Sequence, residues 1–311
     1  MTRVSTFLER RQASGTRTGR APVGLLLALA AGGLGWLVTD LHASAGEAGF
    51  TSIDPARVAL DLPAGEAGLP PEWRGQVALC LARLGELSAL DATLPERVRA
   101  ALEELPFVRE VGAAQVVWPD GLEVDVRLRE PVACINIGED FLPVASDGTV
   151  LPGYRPAPPD FGRGLLPVIG PVDRSLLHAR PGDLLVEERH LDALSVAVSM
   201  REHLSLGDLE HIGPVVIDAT HAPAAGVAEA GTRLHLEAGR RVLFGRPPSY
   251  VAPGELPEAE KWDHVMNAVG VLRAEGPEGQ LADAQGVPFG DWDLVDVRWD
   301  VATLRPRRGY R

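Results

Sequence analysis

The stretch Leu105 to Ala133, LPFVREVGAAQVVWPDGLEVDVRLREPVA, alternates apolar and charged residues. Leu122, Val124, Val126 and Leu128 fall on one side and Glu123, Asp125, Arg127 and Arg129 on the other, the period of a half-buried strand. A helix would scatter the same residues around its axis. Upstream, Gln115 to Trp118 is a second apolar run, and Pro119-Asp120-Gly121 between the two has turn chemistry. The stretch is expected to be an antiparallel hairpin.

Working outward, Pro95 to Leu105 carries Val98, Ala101, Leu102 and Leu105 at helical spacing, and Pro106 ends that element. Glu72 to Leu84 carries Val77, Leu79, Cys80, Leu81 and Leu84 as another short helix, and Arg57 to Leu62 supplies a leading strand. The order strand, helix, helix, strand, strand describes a small α+β layer.

That order, and the residues Leu105, Pro106, Phe107, Val108, Trp118, Pro119, Leu122, Val124, Val126, Arg129, Glu130, Pro131, Val132 and Ala133, resemble the POTRA domain of the bacterial division proteins FtsQ and DivIB. Leu142 to Val150, LPVASDGTV, resembles that family's following strand-turn-strand.

The proline-rich run 152–164 has little periodicity and reads as a connector. Beyond it, Leu166-Pro167-Val168-Ile169-Gly170 resembles the entry to the family's second, β domain. Glu188 to Leu204 has helical periodicity, Val215 to Asp218 is a short buried-strand candidate, and Thr232 to Glu237 with Arg241 to Gly245 suggests a second hairpin. Leu256 to Leu272 places Trp262, Val265, Val269 and Leu272 on one stripe and contains Lys261, the single lysine beside 29 arginines. Leu294-Val295-Asp296-Val297-Arg298-Trp299 is similar to the family's V-D-L-R-Y strand.

Ala21 to Thr39 contains no charge and is about long enough to span a bilayer as a helix. Arg3, Arg10, Arg11, Arg17 and Arg20 precede it against Glu9 alone, so the positive-inside rule keeps the N-terminus cytoplasmic and sends the remainder outward. A cleaved signal is the other reading of this stretch, because Ala43-Ser44-Ala45 fits an A-x-A site. With +4 in the first twenty residues and a formal net of −13, the rest carries −17. Such an acidic surface disfavours nucleic acid and anionic lipid and favours basic partner patches. An export compartment would permit a bridge between Cys80 and Cys134, yet both sit among apolar neighbours as buried free thiols commonly do.

No nucleophile elbow, zinc-binding helix motif or phosphate loop occurs. His178, His190, His203, His211, His221, His235 and His264 lack paired spacing, and Asp291, Asp293, Asp296 and Asp300 read as a solvated face. The expectation is therefore a non-enzymatic protein without cofactor, metal or small-molecule substrate.

The expected fold class is α+β: an N-terminal transmembrane helix, a POTRA domain (β-α-α-β-β), then a C-terminal β-rich domain with flanking helices. The expected divisions are a cytoplasmic basic tail (1–20), the transmembrane helix (21–40), the POTRA domain (53–151), the connector (152–164), the FtsQ-type β domain (165–305) and a tail (306–311). The resemblance implies a single-pass inner-membrane protein with its bulk in the periplasm, a scaffold of the divisome at the septum. Its partners would be FtsB-like and FtsL-like single-pass division proteins, bound by strand addition at an exposed edge. Val295, Val297, Arg298 and Trp299, continued by Val301 and Leu304, are the expected edge, and the POTRA hairpin (Trp118, Pro119, Leu122, Val124, Val126, Arg129, Glu130, Pro131) is the second expected surface. A POTRA-bearing binding module of protein export or outer-membrane assembly is the alternative, although such proteins usually continue into a membrane barrel.

Overall fold

The computed structural model describes residues 31–41, 43–44, 52–55, 58–62, 69–117, 121–160, 164–171, 174–221, 230–248, 250, 254–273 and 292–306. They form two α+β units that share a continuous junction.

The first unit begins with β1 (Ser52–Ile53) and β2 (Val58–Asp61), followed by α1 (Pro71–Ala82), β3 (Leu87–Ser88), α2 (Leu94–Glu103), β4 (Val108–Val117) and β5 (Gly121–Leu128). A three-stranded sheet has the order β2-β5-β4, with β2 parallel and β4 antiparallel to the central β5. Both helices start with proline in the first turn, where a missing N–H costs no intrahelical bond. They lay Trp73, Val77, Leu81, Val98 and Leu102 against Leu122, Val124 and Val126 of the sheet, and Trp73 stacks on Phe107 with ring centroids 4.7 Å apart. The opposite face of β5 carries Asp125 and Arg127 to solvent, as the alternation requires.

The second unit contains β6 (Pro131–Asn136), β7 (Phe141–Ala145), β8 (Val168–Gly170), α3 (Glu188–His203), α4 (Leu206–Ile212), β9 (Val216–Asp218), β10 (Thr232–His235), β11 (Arg241–Gly245), α5 (Glu258–Arg273), β12 (Trp292–Asp296) and β13 (Thr303–Pro306). Eight strands lie in the order β13-β12-β11-β10-β9-β8-β6-β7. The core forms between the helices and one sheet face, where Ile135, Ile169, Ile217, Leu234, Val242, Phe244, Val295 and Val297 meet Val196, Met200, Trp262 and Val265. Phe244 and Trp262 stand 4.8 Å apart, centroid to centroid.

Two expectations are corrected here. Among the described residues no helix is long and apolar enough to cross a membrane. The helical stretch at 31–41 would span only about 16 Å at 1.5 Å per residue, against about 30 Å of hydrocarbon, and it includes Asp40. Residues 21–30 of the expected span lie outside the described residues.

The expected boundary at 152–164 also moves. Strands β6 and β7 belong to the larger sheet, because Cys134 and Ile135 pair in parallel with Val168 and Ile169. The chain passes from the small sheet to the large one across Arg129 and Glu130 alone. The residues after β7 then run back along it, with Leu151 N–H donating to the Pro143 carbonyl and Phe141 bridging Arg155 in both directions. What reads as a connector therefore covers the outer side of β7.

The junction is tied by side chains from both units. Arg129 donates to the carbonyls of Pro106 and Val108 and forms an ion pair of 2.8 Å with Asp147. Trp73 Nε1 donates to the Pro152 carbonyl at 3.0 Å, Arg155 pairs with Glu72, and Ala145 and Leu151 are buried in the small unit's core.

Candidate partner-binding edge

Of the two ends of the large sheet, β7 is covered by the returning chain, whereas β13 is hydrogen-bonded on one side, to β12, and carries no strand on its other side among the described residues. The registers Val295↔Leu304, Leu294↔Arg305 and Asp296↔Thr303 fix its position. An edge of this kind presents unpaired N–H and C=O groups in the spacing that another extended chain needs.

The expected edge residues separate into four groups. Val295 and Val297 are completely buried in the main core, and β12 is an inner strand, parallel to β11 and antiparallel to β13. The expectation that they bind a partner is corrected for that reason. Trp299 and Val301 lie not on a continuing strand but in the reversal between β12 and β13, and they are exposed, at 45% and 73%. Leu304 lies on β13 itself, at the register position opposite Val295.

Arg298 is 8% exposed and turned inward. Its Nε and Nη2 reach the two oxygens of Asp296 at 2.8 and 2.7 Å, a bidentate fork, and its guanidinium carbon is 5.3 Å from the Trp299 ring centroid. A strand alternation places Asp296 and Arg298 on the same side, so the pair is built into β12 and its extension. Asp293 is bonded to Arg241 at 3.0 Å. Two members of the acidic run near the chain end are thus internally neutralised.

The hairpin surface expected on the small unit is largely interior. Leu122, Val124 and Val126 are at most 1% exposed, Pro131 is buried at the start of β6, and Arg129 is the junction clamp already described. Glu130 is exposed. Trp118 and Pro119 lie outside the described residues.

Elsewhere, polar side chains serve the fold. Ser199 Oγ accepts from Trp262 Nε1 at 3.0 Å and donates to Glu258. His203 Nδ1 lies 2.9 Å from the Ser199 carbonyl, which can only accept, so this nitrogen carries its proton and is no base for the hydroxyl. Asp218 is half-buried, which by itself would raise its pKa, but His235 and the hydroxyl and amide of Thr220 hold it well below the usual carboxylate range. Cys80, half-buried on α1, and Cys134, buried on β6, are both free thiols. Cys80 donates to the Ala101 carbonyl, and burial among apolar groups pushes the Cys134 thiol far up. No group of three or more His, Cys, Asp or Glu side chains among the described residues could hold a metal ion.

Sequence reasoning missed α4, β13 and the small β1–β3 pair. For α4 a signal was present: Ser205 and Asp208 form a reciprocal capping box, the S-x-x-D signature of a helix start. No protein-family model matches the chain, and a search of curated proteins finds no match.

Proposed function

We propose that this protein is a non-enzymatic scaffold of bacterial cell division, similar to FtsQ and DivIB, that joins partners by accepting a strand at β13. The observation that carries the reading is the one-sided pairing of β13 next to the exposed Trp299 and Val301. Main-chain hydrogen bonds along such an edge supply affinity, and an exposed aromatic beside it supplies the anchor that interfaces favour. The arrangement of β2, α1, α2, β4 and β5 supports the same reading, since it has the element order of the resembled POTRA domain.

On this reading FtsB-like and FtsL-like proteins occupy the C-terminal edge in the periplasm, and the small unit receives other division proteins. The side chains that tie the junction would link the two surfaces, which is what a scaffold requires.

The test offers the full chain purified FtsB-like and FtsL-like proteins and, separately, purified outer-membrane precursors from the same cell, beside a Trp299→Ala, Val301→Asp variant with an unchanged circular dichroism spectrum. Capture by the unaltered chain and its loss in the variant is expected. Equal capture by both would remove the partner from this edge, and capture of outer-membrane precursors instead would replace the division reading with the export one.

A further inference from the structure

Four buried or nearly buried charges converge at Gly245, directly behind the turn that carries Trp299. Asp296, Arg298 and Lys261 are 5%, 8% and 3% exposed. Lys261 Nζ lies 2.6 Å from Glu255 Oε2 and 5.0 Å above the Phe244 ring, and the same carboxylate oxygen accepts the Arg246 N–H at 3.0 Å. The second pair is the Asp296–Arg298 fork.

The two pairs meet because Gly245 has no side chain. Its φ is +88°, and a Cβ there would stand 2.6 Å from both Arg298 Cδ and Glu255 Oε2. The Arg298 stem therefore lies against bare backbone at the end of β11. Its carbonyl accepts from Leu256 N–H at 3.0 Å, and its Nη1 points to the Ala230 carbonyl at 3.5 Å. One residue thus ties the end of β12 to β11, to the segment entering α5 and to the loop before β10.

A buried ion pair contributes little net stability compared with apolar residues of the same size, because desolvation offsets the attraction. What a bidentate fork does supply is a single orientation. The part of the molecule whose orientation is otherwise weakly held is the reversal at 299–302 and β13 beyond it, since Trp299 and Val301 are exposed and β13 is short and paired on one side only. A one-residue slip of β13 would exchange its two faces.

We infer that Arg298, held by Asp296 and seated on Gly245, is a positioning residue that presets Trp299 and the register of β13 for an incoming strand. This rests on the strand-addition reading for its purpose, though not for its geometry. Arg298 acts from behind the edge, and it lowers the ordering cost that a partner would otherwise meet on binding.

The experiment is hydrogen exchange on the full chain, comparing residues 299–306 with residues 232–245, together with the fluorine resonance of Trp299 in 5-fluorotryptophan-labelled protein, assigned with Trp299→Phe. For Arg298→Gln, exchange at 299–306 is expected to quicken roughly tenfold while 232–245 stays within about twofold, and the Trp299 resonance is expected to move toward its solvent-exposed position. Arg298→Lys keeps the charge without the fork and is expected to recover only part of the protection. Should Arg298→Gln unfold the unit, the Lys variant decides by the same two readouts. Unchanged exchange at 299–306, equal acceleration at 232–245, or full rescue by lysine would each overturn the inference. If exchange behaves as expected but the unaltered chain captures no partner, strand addition fails and the positioning role stands.

Discussion

Replacing Val297 with aspartate and replacing Val301 with aspartate are the same chemical change four residues apart, and they should have opposite outcomes. Val297 is fully buried among the core residues, so losing its side chain forfeits about 1.5–3 kcal/mol of apolar burial. The new carboxyl would enter a site without a partner and stay neutral, with its pKa raised by about 3–5 units from about 3.9; keeping it protonated near pH 7 costs about 1.4 kcal/mol for each of the roughly 3 units between 3.9 and 7, or about 4 kcal/mol. The sum, about 5.5–7 kcal/mol, is comparable to the whole stability of many domains, which lies at about 5–15 kcal/mol. Val301 is 73% exposed, and a polar replacement there should change stability by no more than about 0.5 kcal/mol. Urea unfolding of the full chain, followed by far-ultraviolet circular dichroism, measures both. Val297→Asp should lack a cooperative transition, and Val301→Asp should retain the original midpoint. A Val297→Asp protein with a midpoint near that of the unaltered chain would refute the placement of β12 inside the sheet. The comparison also decides which variants report on binding: a loss of capture by Val297→Asp would reflect unfolding, whereas a loss by Val301→Asp would reflect the edge.

Two further outcomes follow from the junction and from the sheet's polar face. Arg129→Ala removes the donor shared by the Pro106 and Val108 carbonyls and the partner of Asp147, and should cost about 1–3 kcal/mol, read as a lower urea midpoint; an unchanged midpoint would show that the clamp is ornamental. Asp218 is held below its ordinary pKa in the folded state, so its contribution to stability is complete above the unfolded value of about 3.9 and is lost as pH falls from there through the folded value. The stability difference between the unaltered chain and Asp218→Asn should therefore be larger at pH 6 than at pH 3, and an equal difference at both would contradict the hydrogen bonds assigned to Asp218.

Much of the local structure was legible from short-range pattern. Helices over 71–82, 94–103, 188–203 and 258–273 lie close to the periodic stretches in the sequence, and Arg241–Gly245 coincides with its expected strand. Strand β4 begins at Val108, seven residues before the apolar run that announces it, because register shifts between Val108 and Glu110 and between Val111 and Ala114 break the alternation. What was not legible is which sheet a strand joins. Pro131–Asn136 follows the POTRA-like hairpin without pause, yet its partners are β7 and, more than thirty residues on, β8; nothing in the strand's own composition encodes that choice. The binding edge failed for the same reason. The alternation at 294–299 correctly marks a strand with two unlike faces, but β13, which displaces it from the edge, is a four-residue segment containing Pro306 and offers almost no period to read.

The two-residue passage across Arg129 and Glu130 bears on how the chain can be dissected. A fragment cut at the proline-rich run would end near residue 151 and carry β6 and β7 away from the sheet they belong to. Five of the six β6 residues, Pro131 to Ile135, are buried in the intact molecule, so the fragment would present an apolar hairpin with an unpaired flank, a template for self-association. Ending the fragment at 130 removes that hairpin but also strips Leu151 and the Pro152 carbonyl from Trp73 and its neighbours. Neither cut yields a clean module, and the surfaces of the two units are best studied by substitution within the uncut chain.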